Sequence, residues 1–545
     1  MFRRLLIPNR GEIALRIIRT CRELGVEAVV VHSDADAGSL PVELADEAIN
    51  LGDPWCYLDA PRVVQAALDA GAEAVHPGYG FLAENASFAR LCREAGLTFI
   101  GPTPEVMEHL GEKDRARASA IALGIPCLPG SEPVTDVGEA ARRAAEIGYP
   151  VLIKAVAGGG GRGMRLARNE EELVRLLPRA MSEAEAAFKS PWVYLEKYLE
   201  GARHVEIQVL ADAHGHVVHL GERDCTVQRR HQKLIEESPS PAVTPEIRAQ
   251  MGEAAVRLLQ ALGYINAGTV EFLLDRDGRF YFLEVNTRIQ VEHPVTEVRY
   301  GVDLIAAQIR VAAGEPLPFG QDELVPRGWA LECRINAEDP LRSFAPAPGL
   351  ITAYVAPAGP GVRVDGAARA GWLIPPFYDS MMAKLIVWAP DRAAALARMQ
   401  RALREFHIEG VPTTIPFHLA VLANPSFATG QIDTHFAETA VSEGAVQAAA
   451  DSLRAAVPAS TPHAPEPSSS DRRRLAVIAA AVAAVMDRPH RIVSVTRASP
   501  PREPAPSAPL RWGAAGRLEL MAQRHRMANP AMDRRNLRAN WPWPS

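Results

Sequence analysis

The run VLIKAVAGGGGRGMRLA, residues 151–167, holds the densest chemical signal in the chain. Gly158, Gly159, Gly160, Gly161 and Gly163 leave a backbone with almost no side chains and many free N–H groups. Such a loop can close over phosphates at short range. Lys154 stands just before it and supplies the counter-charge a triphosphate requires. Lys113, in GEKDRARA, is a second candidate of the same kind. Gly158, Gly160 and Gly163 satisfy the letters of G-x-G-x-x-G, but a strand-like run follows them and no helix opens there. That excludes the dinucleotide-binding reading, and the lack of a closing G-K-[ST] excludes a Walker A loop. A plain hairpin turn is the competing reading.

Two acidic residues lie further on. Glu271, in GTVEFLL, and Glu284, in FLEVN, both sit inside apolar runs, where an unpaired charge is costly. With Asn286 they make an all-oxygen donor set suited to Mg²⁺; solvated surface glutamates are the alternative. Next come Arg288, Gln290 and Glu292, which an extended segment would place on one face. Arginine can hold a small planar anion with two hydrogen bonds, and a glutamate beside it can act as general base. A structural ion pair is the alternative. The segment ERDCTVQRRHQKLIEES adds Gln228, His231 and Lys233, as a solvated charged face or a further anion-binding wall.

These residues need elements to hold them. Residues 1 to about 110 alternate apolar runs (4–7, 28–32, 74–76, 98–100) with helical patterns (12–24, 61–70, 85–95), which predicts βαβ units and a mainly parallel sheet. From about 113 to 310 the pattern changes. Strands at 151–156 and 164–167 flank the glycines, and hairpin-like runs follow at 192–197, 203–210, 216–222, 268–274 and 279–285, an α+β region. Residues 328–437 add strands at 330–335 and 350–355 and a helix at 391–406. Residues 441–470 are rich in Ala, Ser and Pro and read as a linker. The remainder to Ser545 is rich in Pro and Arg, with an apolar run at 475–486 and a strand-like run at 491–496, and reads as a poorly ordered or interaction tail.

Composition removes several function classes. The chain has 545 residues, 48% hydrophobic and 23% charged, with a net charge of -6. A dedicated nucleic-acid binder needs a basic surface, so no nucleic-acid partner is expected. No apolar stretch is long enough to cross a membrane, and the N-terminus lacks the apolar region of a secretory signal. Six cysteines scattered without a CxxC pair fit free thiols in a reducing compartment, so the cytoplasm is the expected location.

Nine strings occur in one order over about residues 2–437: IPNRGEIALRIIRT, HPGYGFLAEN, FIGPTPEVM, KAVAGGGGRGMR, EKYLEGARHVEIQ, ERDCTVQRRHQK, FLEVNTRIQVEHPVTE, ECRINAEDP and YDSMMAKLI. Together they resemble the biotin carboxylase family of the ATP-grasp superfamily. The resemblance implies an N-terminal doubly wound (pre-ATP-grasp) domain at 1–112 and an ATP-grasp domain at 113–312 with its glycine-rich lid at about 132–202. It also implies a C-terminal biotin carboxylase domain at 328–437, leaving 441–545 as an additional tail. It implies that Lys113, Lys154 and the glycine lid contact ATP phosphates, and that Glu196, Lys197 and Leu199 line the adenine pocket. His204, Gln228 and His231 would border the nucleotide. Glu271, Glu284 and Asn286 would hold Mg²⁺ (or Mn²⁺). Lys233, Arg288, Gln290, Val291 and Glu292 would cradle bicarbonate, with Glu292 as its base. Arg334, in ECRIN, would stabilise the enolate-like ureido group of biotin, and Tyr79, in HPGYGF, would sit near it.

The implied activity is carboxylation of biotin with ATP and bicarbonate through carboxyphosphate, the first half-reaction of acetyl-CoA carboxylase or of a propionyl-CoA, other acyl-CoA or pyruvate carboxylase. Residues 441–545 contain no lysine, so none of the family's Ala-Met-Lys-Met biotinylation settings occurs there. The biotin is therefore expected on a separate biotin carboxyl carrier protein, with carboxyltransferase subunits as further partners and a homodimer as the family's assembly. Another ATP-grasp ligase, or a non-catalytic paralogue keeping the fold, are the competing readings; the set from Lys113 to Arg334 argues against both.

Overall fold

The structure, a computed structural model, describes residues 1–156, 164–188 and 190–456. Strands β1 (Arg4–Ile7), β2 (Glu27–Ser33), β3 (Glu47–Gly52), β4 (Ala74–Val75) and β5 (Thr98–Phe99) form one parallel sheet in the order β3-β2-β1-β4-β5. Leu5, Leu6 and Ile7 are wholly buried, because helices cover both faces, and that is why β1 reads as an unbroken apolar run. Strand β3 is not among the elements expected from the sequence. This edge strand is mostly exposed and shows no apolar run to find. Strand order reverses between β1 and β4, and ligand crevices form at the carboxyl ends of such strands. There Asn9 Nδ2 donates to the carbonyls of Pro77 (2.7 Å) and Tyr79 (2.8 Å) and fixes the HPGYGF loop.

A small antiparallel sheet follows, β7-β6-β8, from β6 (Val151–Ala155), β7 (Arg165–Ala167) and β8 (Val193–Lys197). Its core of Val151, Ile153, Val193 and Leu195 meets Leu173 and Leu177 of helix Glu170–Phe188. The glycine run connects β6 to β7; Gly158, Gly159, Gly160, Gly161 and Gly163 lie outside the described residues.

The site is carried by an eight-stranded sheet. It comprises β9 (Arg203–Ala211), β10 (Val217–Arg229), β11 (Gln232–Ser238), β12 (Asn266–Leu274) and β13 (Phe280–Asn286), then β14 (Trp329–Asn336) and two later strands. Short pieces β15 (Glu338–Asp339), β16 (Ala345–Pro346) and β17 (Ala353–Val355) precede β18 (Val362–Gly366), β19 (Met381–Ala389) and β20 (His407–Glu409). The order β13-β12-β9-β10-β11-β14-β19-β18 runs across residues that sequence patterning divides between two regions: β14 pairs antiparallel with β11.

One alternative is removed and one expectation corrected. The charged segment at 222–238 is not a solvated face. It is the β10–β11 hairpin, turned by Arg230 (φ 49) and His231 (φ 64), both left-handed as a two-residue hairpin requires. Glu222, Arg223, Asp224, Glu236 and Glu237 are buried, and each finds an opposite charge: Arg248, Glu206, Arg203, Arg334 and Arg392. Alternating signs let the run enter the interior. Nor is the start of the 441–470 segment a linker. Its alanines favour helix, and Glu443–Ala456 folds as one, burying Val446 and Ala450. The rest of the tail, including the expected helix at 475–486 and strand at 491–496, lies outside the described residues. Among the described residues no helix is long and apolar enough to cross a membrane.

Candidate active site

The β12–β13 register sets Glu271 opposite Glu284, so both carboxylates leave the same face of the sheet. Both sit within their strands, as the apolar runs around them implied, next to a bulge between Glu271 and Phe272. Glu271 is almost fully enclosed and receives Asn286 Nδ2 (2.9 Å) and Gln290 Nε2 (3.0 Å), with His204 Nε2 at ion-pair distance (2.9 Å) from its other oxygen. Burial opposes its charge, but Lys233 and His204 outweigh that and hold it well below the usual carboxylate range. His204 responds in kind: burial lowers its pKa, Glu271 raises it, and the net shift is upward.

Lys233, from β11, is the hub. Its Nζ donates to Glu206 (2.6 Å), Glu292 (2.6 Å), Glu271 (3.0 Å) and Gln290 (3.1 Å). Glu206 faces a second cation, the fully buried Arg223, whose Nε donates to it at 2.6 Å. Arg223 also donates to Gln208 (2.7 Å), Thr296 (3.0 Å) and Thr269 (3.1 Å), tying β9, β12 and helix His293–Tyr300 behind the site.

Glu292 uses its second oxygen for Arg334 of β14, at 3.0 Å. Burial disfavours its ionised form, yet Lys233, Arg334 and Arg223 outweigh burial and keep its pKa low. It is thus an ionised, oriented carboxylate with one oxygen on each cation.

Arg288, Gln290 and Glu292 do not share a strand face, contrary to the expectation from alternation. Residues 287–292 form a loop, and Glu292 is the N-cap of a helix that begins at His293 with Pro294 in its first turn. Gln290 and Glu292 still converge on Lys233. Arg288 turns instead to Glu84 (3.0 Å) and the Asn286 side-chain carbonyl (3.2 Å), so the arginine touching Glu292 is Arg334. Only the fold could bring those two together, from 42 residues apart.

The remaining residues spread outward. Lys113 Nζ lies 3.3 Å from Glu284. Lys154 pairs with Glu196, and Lys197 Nζ donates to the carbonyls of Gly148 and Tyr149, both at 2.8 Å, which anchors β8 more than it lines a pocket. Leu199 is half-buried just beyond β8. Gln228 pairs with Lys233 across the β10–β11 hairpin, and His231, at its turn, has its pKa lowered by burial. Tyr79 donates its hydroxyl to Glu12, from the loop after β4.

Sequence reasoning missed Glu206, Arg223, Glu236, Glu12 and Lys384. The wholly buried Lys384 of β19 donates to the Val291 carbonyl (2.8 Å) and pairs with Glu12 (3.1 Å), so one ammonium steadies both the 287–292 loop and the partner of Tyr79. Its signal was available: a lysine in the apolar string MMAKLIVWA needs a buried acid.

A small antiparallel sheet, two of whose strands are joined by a glycine-rich run, together with a larger sheet bearing paired acidic residues and lysines, is the ATP-grasp arrangement. Family models match along the chain in order: biotin carboxylase, N-terminal domain at residues 1–107; carbamoyl-phosphate synthase L chain, ATP binding domain at 112–319; and biotin carboxylase C-terminal domain at 332–439. A biotin carboxylase of Nostoc sp. is 54% identical over 441 residues, 80% of this chain and 99% of that protein. A pyruvate carboxylase subunit of Methanothermobacter thermautotrophicus is also 54% identical, over 80% of this chain and 90% of its own length. The crystal structure of the biotin carboxylase domain dimer of Hydrogenobacter thermophilus 2-oxoglutarate carboxylase, with MgADP, ADP and bicarbonate, superposes with a TM-score of 0.78 at 51% identity, covering 80% of this chain and 97% of that one. This chain belongs to the biotin carboxylase family.

Proposed function

We propose that this chain carboxylates biotin borne on a separate carrier protein, using ATP and bicarbonate, and that it serves an acetyl-CoA carboxylase as a homodimer. The observation that carries the reaction is Glu292, ionised and shared between Lys233 and Arg334. Glu292 takes the proton of bicarbonate, which becomes the stronger nucleophile toward the terminal phosphorus of ATP. Lys233 and Gln290 hold that anion beside the base, and Arg288 closes its other side. Lys113, Lys154 and the glycine lid neutralise and cover the phosphates, and exclusion of water preserves the carboxyphosphate that results. Carboxyphosphate breaks down to CO₂ and phosphate; the phosphate takes the N1 proton of biotin, N1 bonds to the CO₂, and Arg334 donates to the ureido oxygen as charge develops there.

Glu271, Glu284 and Asn286 fit a magnesium ion. They are oxygen donors on one sheet face, and ammonium groups from Lys233 and Lys113 neutralise the two carboxylates here. When bound, the ion supplies charge neutralisation for phosphoryl transfer. Glu196, Lys197 and Leu199 border the adenine, His204, Gln228 and His231 the rest of the nucleotide, and Tyr79 the biotin ring. The domain divisions 1–112, 113–312 and 328–437 belong to this reading.

The test is ATP cleavage by the purified chain with bicarbonate and free biotin. Turnover should need both, and Glu292→Gln should reduce it by about 10²- to 10⁴-fold in a chain that still unfolds cooperatively. Turnover indifferent to bicarbonate, or undiminished in that variant, refutes the assignment. The relatives named for pyruvate and 2-oxoglutarate carboxylases favour a second acceptor class, since the carboxyltransferase chooses the acceptor. Co-purification of the chain from its source cells identifies which carrier and carboxyltransferase accompany it.

A further inference from the structure

Behind Arg334 lies a second acidic pair with no part in the scheme above. The β11–β14 register places Glu236 opposite Glu332, and both are completely buried. Glu236 Oε1 accepts from Arg334 Nε at 2.6 Å and lies 2.6 Å from Nη2 as an ion pair. Among the described residues its Oε2 has no partner, and neither oxygen of Glu332 has one. Ala330, Glu332 and Arg334 share one face of β14, covered by helix His293–Tyr300 through Val295.

The cations nearby are already engaged. Arg334 is divided between Glu236 and Glu292, and Lys233 among Glu206, Glu271 and Glu292. Lys384, cross-strand from Arg334, holds Glu12 and the Val291 carbonyl. The other titratable groups here are the Cys333 thiol, pushed up by burial, and His293, held neutral by burial and by Lys384. None can balance a further negative charge. A buried carboxylate without a cation or donor takes up a proton, and two acids side by side hold one between them.

We propose that Glu332 is a protonated carboxylic acid sharing its proton with Glu236, and that the single negative charge of this pair positions Arg334 against Glu292. The directions of titration agree. Burial raises Glu332 well above the carboxylate range and Glu236 to about 7, whereas Glu292 is held low. A fully ionised pair would draw the guanidinium away from Glu292; an uncharged pair would release it onto Glu292 and weaken the base.

The inference rests on the roles given above to Glu292 and Arg334, but its first test needs no substrate. The infrared spectrum of the full chain near neutral pH should contain the carbonyl stretch of a buried carboxylic acid that disappears in Glu332→Gln, or in Glu332→Leu if the first variant does not fold. A spectrum unchanged by both substitutions overturns the protonated pair, whether or not the chain carboxylates biotin. The second test is kinetic. Glu236→Gln should lower kcat for bicarbonate- and biotin-dependent ATP cleavage by about 10- to 100-fold, the loss typical when the partner of an active-site group is removed. Its acid limb should flatten, because the pair whose further protonation releases Arg334 onto Glu292 no longer titrates. A Glu236→Gln enzyme with the parent's kcat and pH profile overturns the positioning role.

Discussion

Replacing Lys233 by methionine tests the electrostatic account of the site most directly. The side chain lengths are similar, so the change removes a charge with little change of volume. In the parent, one ammonium lies 2.6 Å from Glu206, 2.6 Å from Glu292 and 3.0 Å from Glu271. Its side chain is only 14% exposed, so solvent screens it weakly. Removing one partner of a buried ion pair typically costs about 3–5 kcal/mol, because the other charge is left uncompensated. Here three carboxylates lose a shared cation, although Arg223 still serves Glu206 and Arg334 still serves Glu292. A loss of about 3–5 kcal/mol near pH 8 is therefore expected. The sign of its pH dependence is the discriminating feature. In the parent Glu271 and Glu292 are depressed, so their contribution stands above the unfolded carboxylate value and is lost as pH falls below it. In the variant the same burial meets less opposing charge and these carboxyls rise from their parent values, so the contribution present above the unfolded carboxylate value is smaller. A tenfold change in proton affinity is worth about 1.4 kcal/mol, so the gap between parent and variant should shrink by about 2–3 kcal/mol between pH 8 and a pH well below the unfolded carboxylate value. Urea unfolding of both proteins at the two pH values measures it. A gap equal at both would show that Lys233 acts through packing and not through charge.

Two further outcomes follow from buried polar groups. Lys384→Met should destabilise the chain by about 3–5 kcal/mol and raise the KM for bicarbonate, because Glu12 is left unpaired and the Val291 carbonyl loses its anchor; the double variant with Glu12→Gln should recover part of the stability loss, which thermal unfolding of the four proteins measures. His418, which meets the Arg334 carbonyl through Nε2 at 2.7 Å, is lowered to about 4 by burial, so it is neutral in the fold and charges on unfolding. Its contribution stands above the unfolded value of about 6.5 and is lost as pH falls toward 4, by up to about 1.4 kcal/mol per pH unit; His418→Gln should flatten the acid side of a stability–pH curve, and an unchanged slope would count against a neutral imidazole.

How much of this site the sequence could disclose depended on what each residue's neighbours were. Glu271 and Glu284 stood out because each interrupts an apolar strand run, where an acid demands a partner; Glu271 is buried, whereas Glu284 remains partly exposed beside Lys113. The partners were a different matter. Lys233 and Arg334 lie on strands that become neighbours only when β14 adds to β11, and no local spacing encodes that pairing. Arg288 shows the hazard of local spacing alone: an extended segment would have aligned it with Glu292, but a helix begins at His293, with Pro294 in its first turn, and turns the chain, sending the arginine to Glu84. Motif resemblance carried Arg334 into the site where periodicity could not. Glu236 and Glu332 were found by neither route. In sequence they are ordinary glutamates in the strings LIEES and LECRIN, and only the register that faces them across two buried strands gives them chemical meaning. The residues proposed to meet substrate were therefore the ones singled out in the sequence, whereas the groups that set their charge became legible only once the sheet was closed.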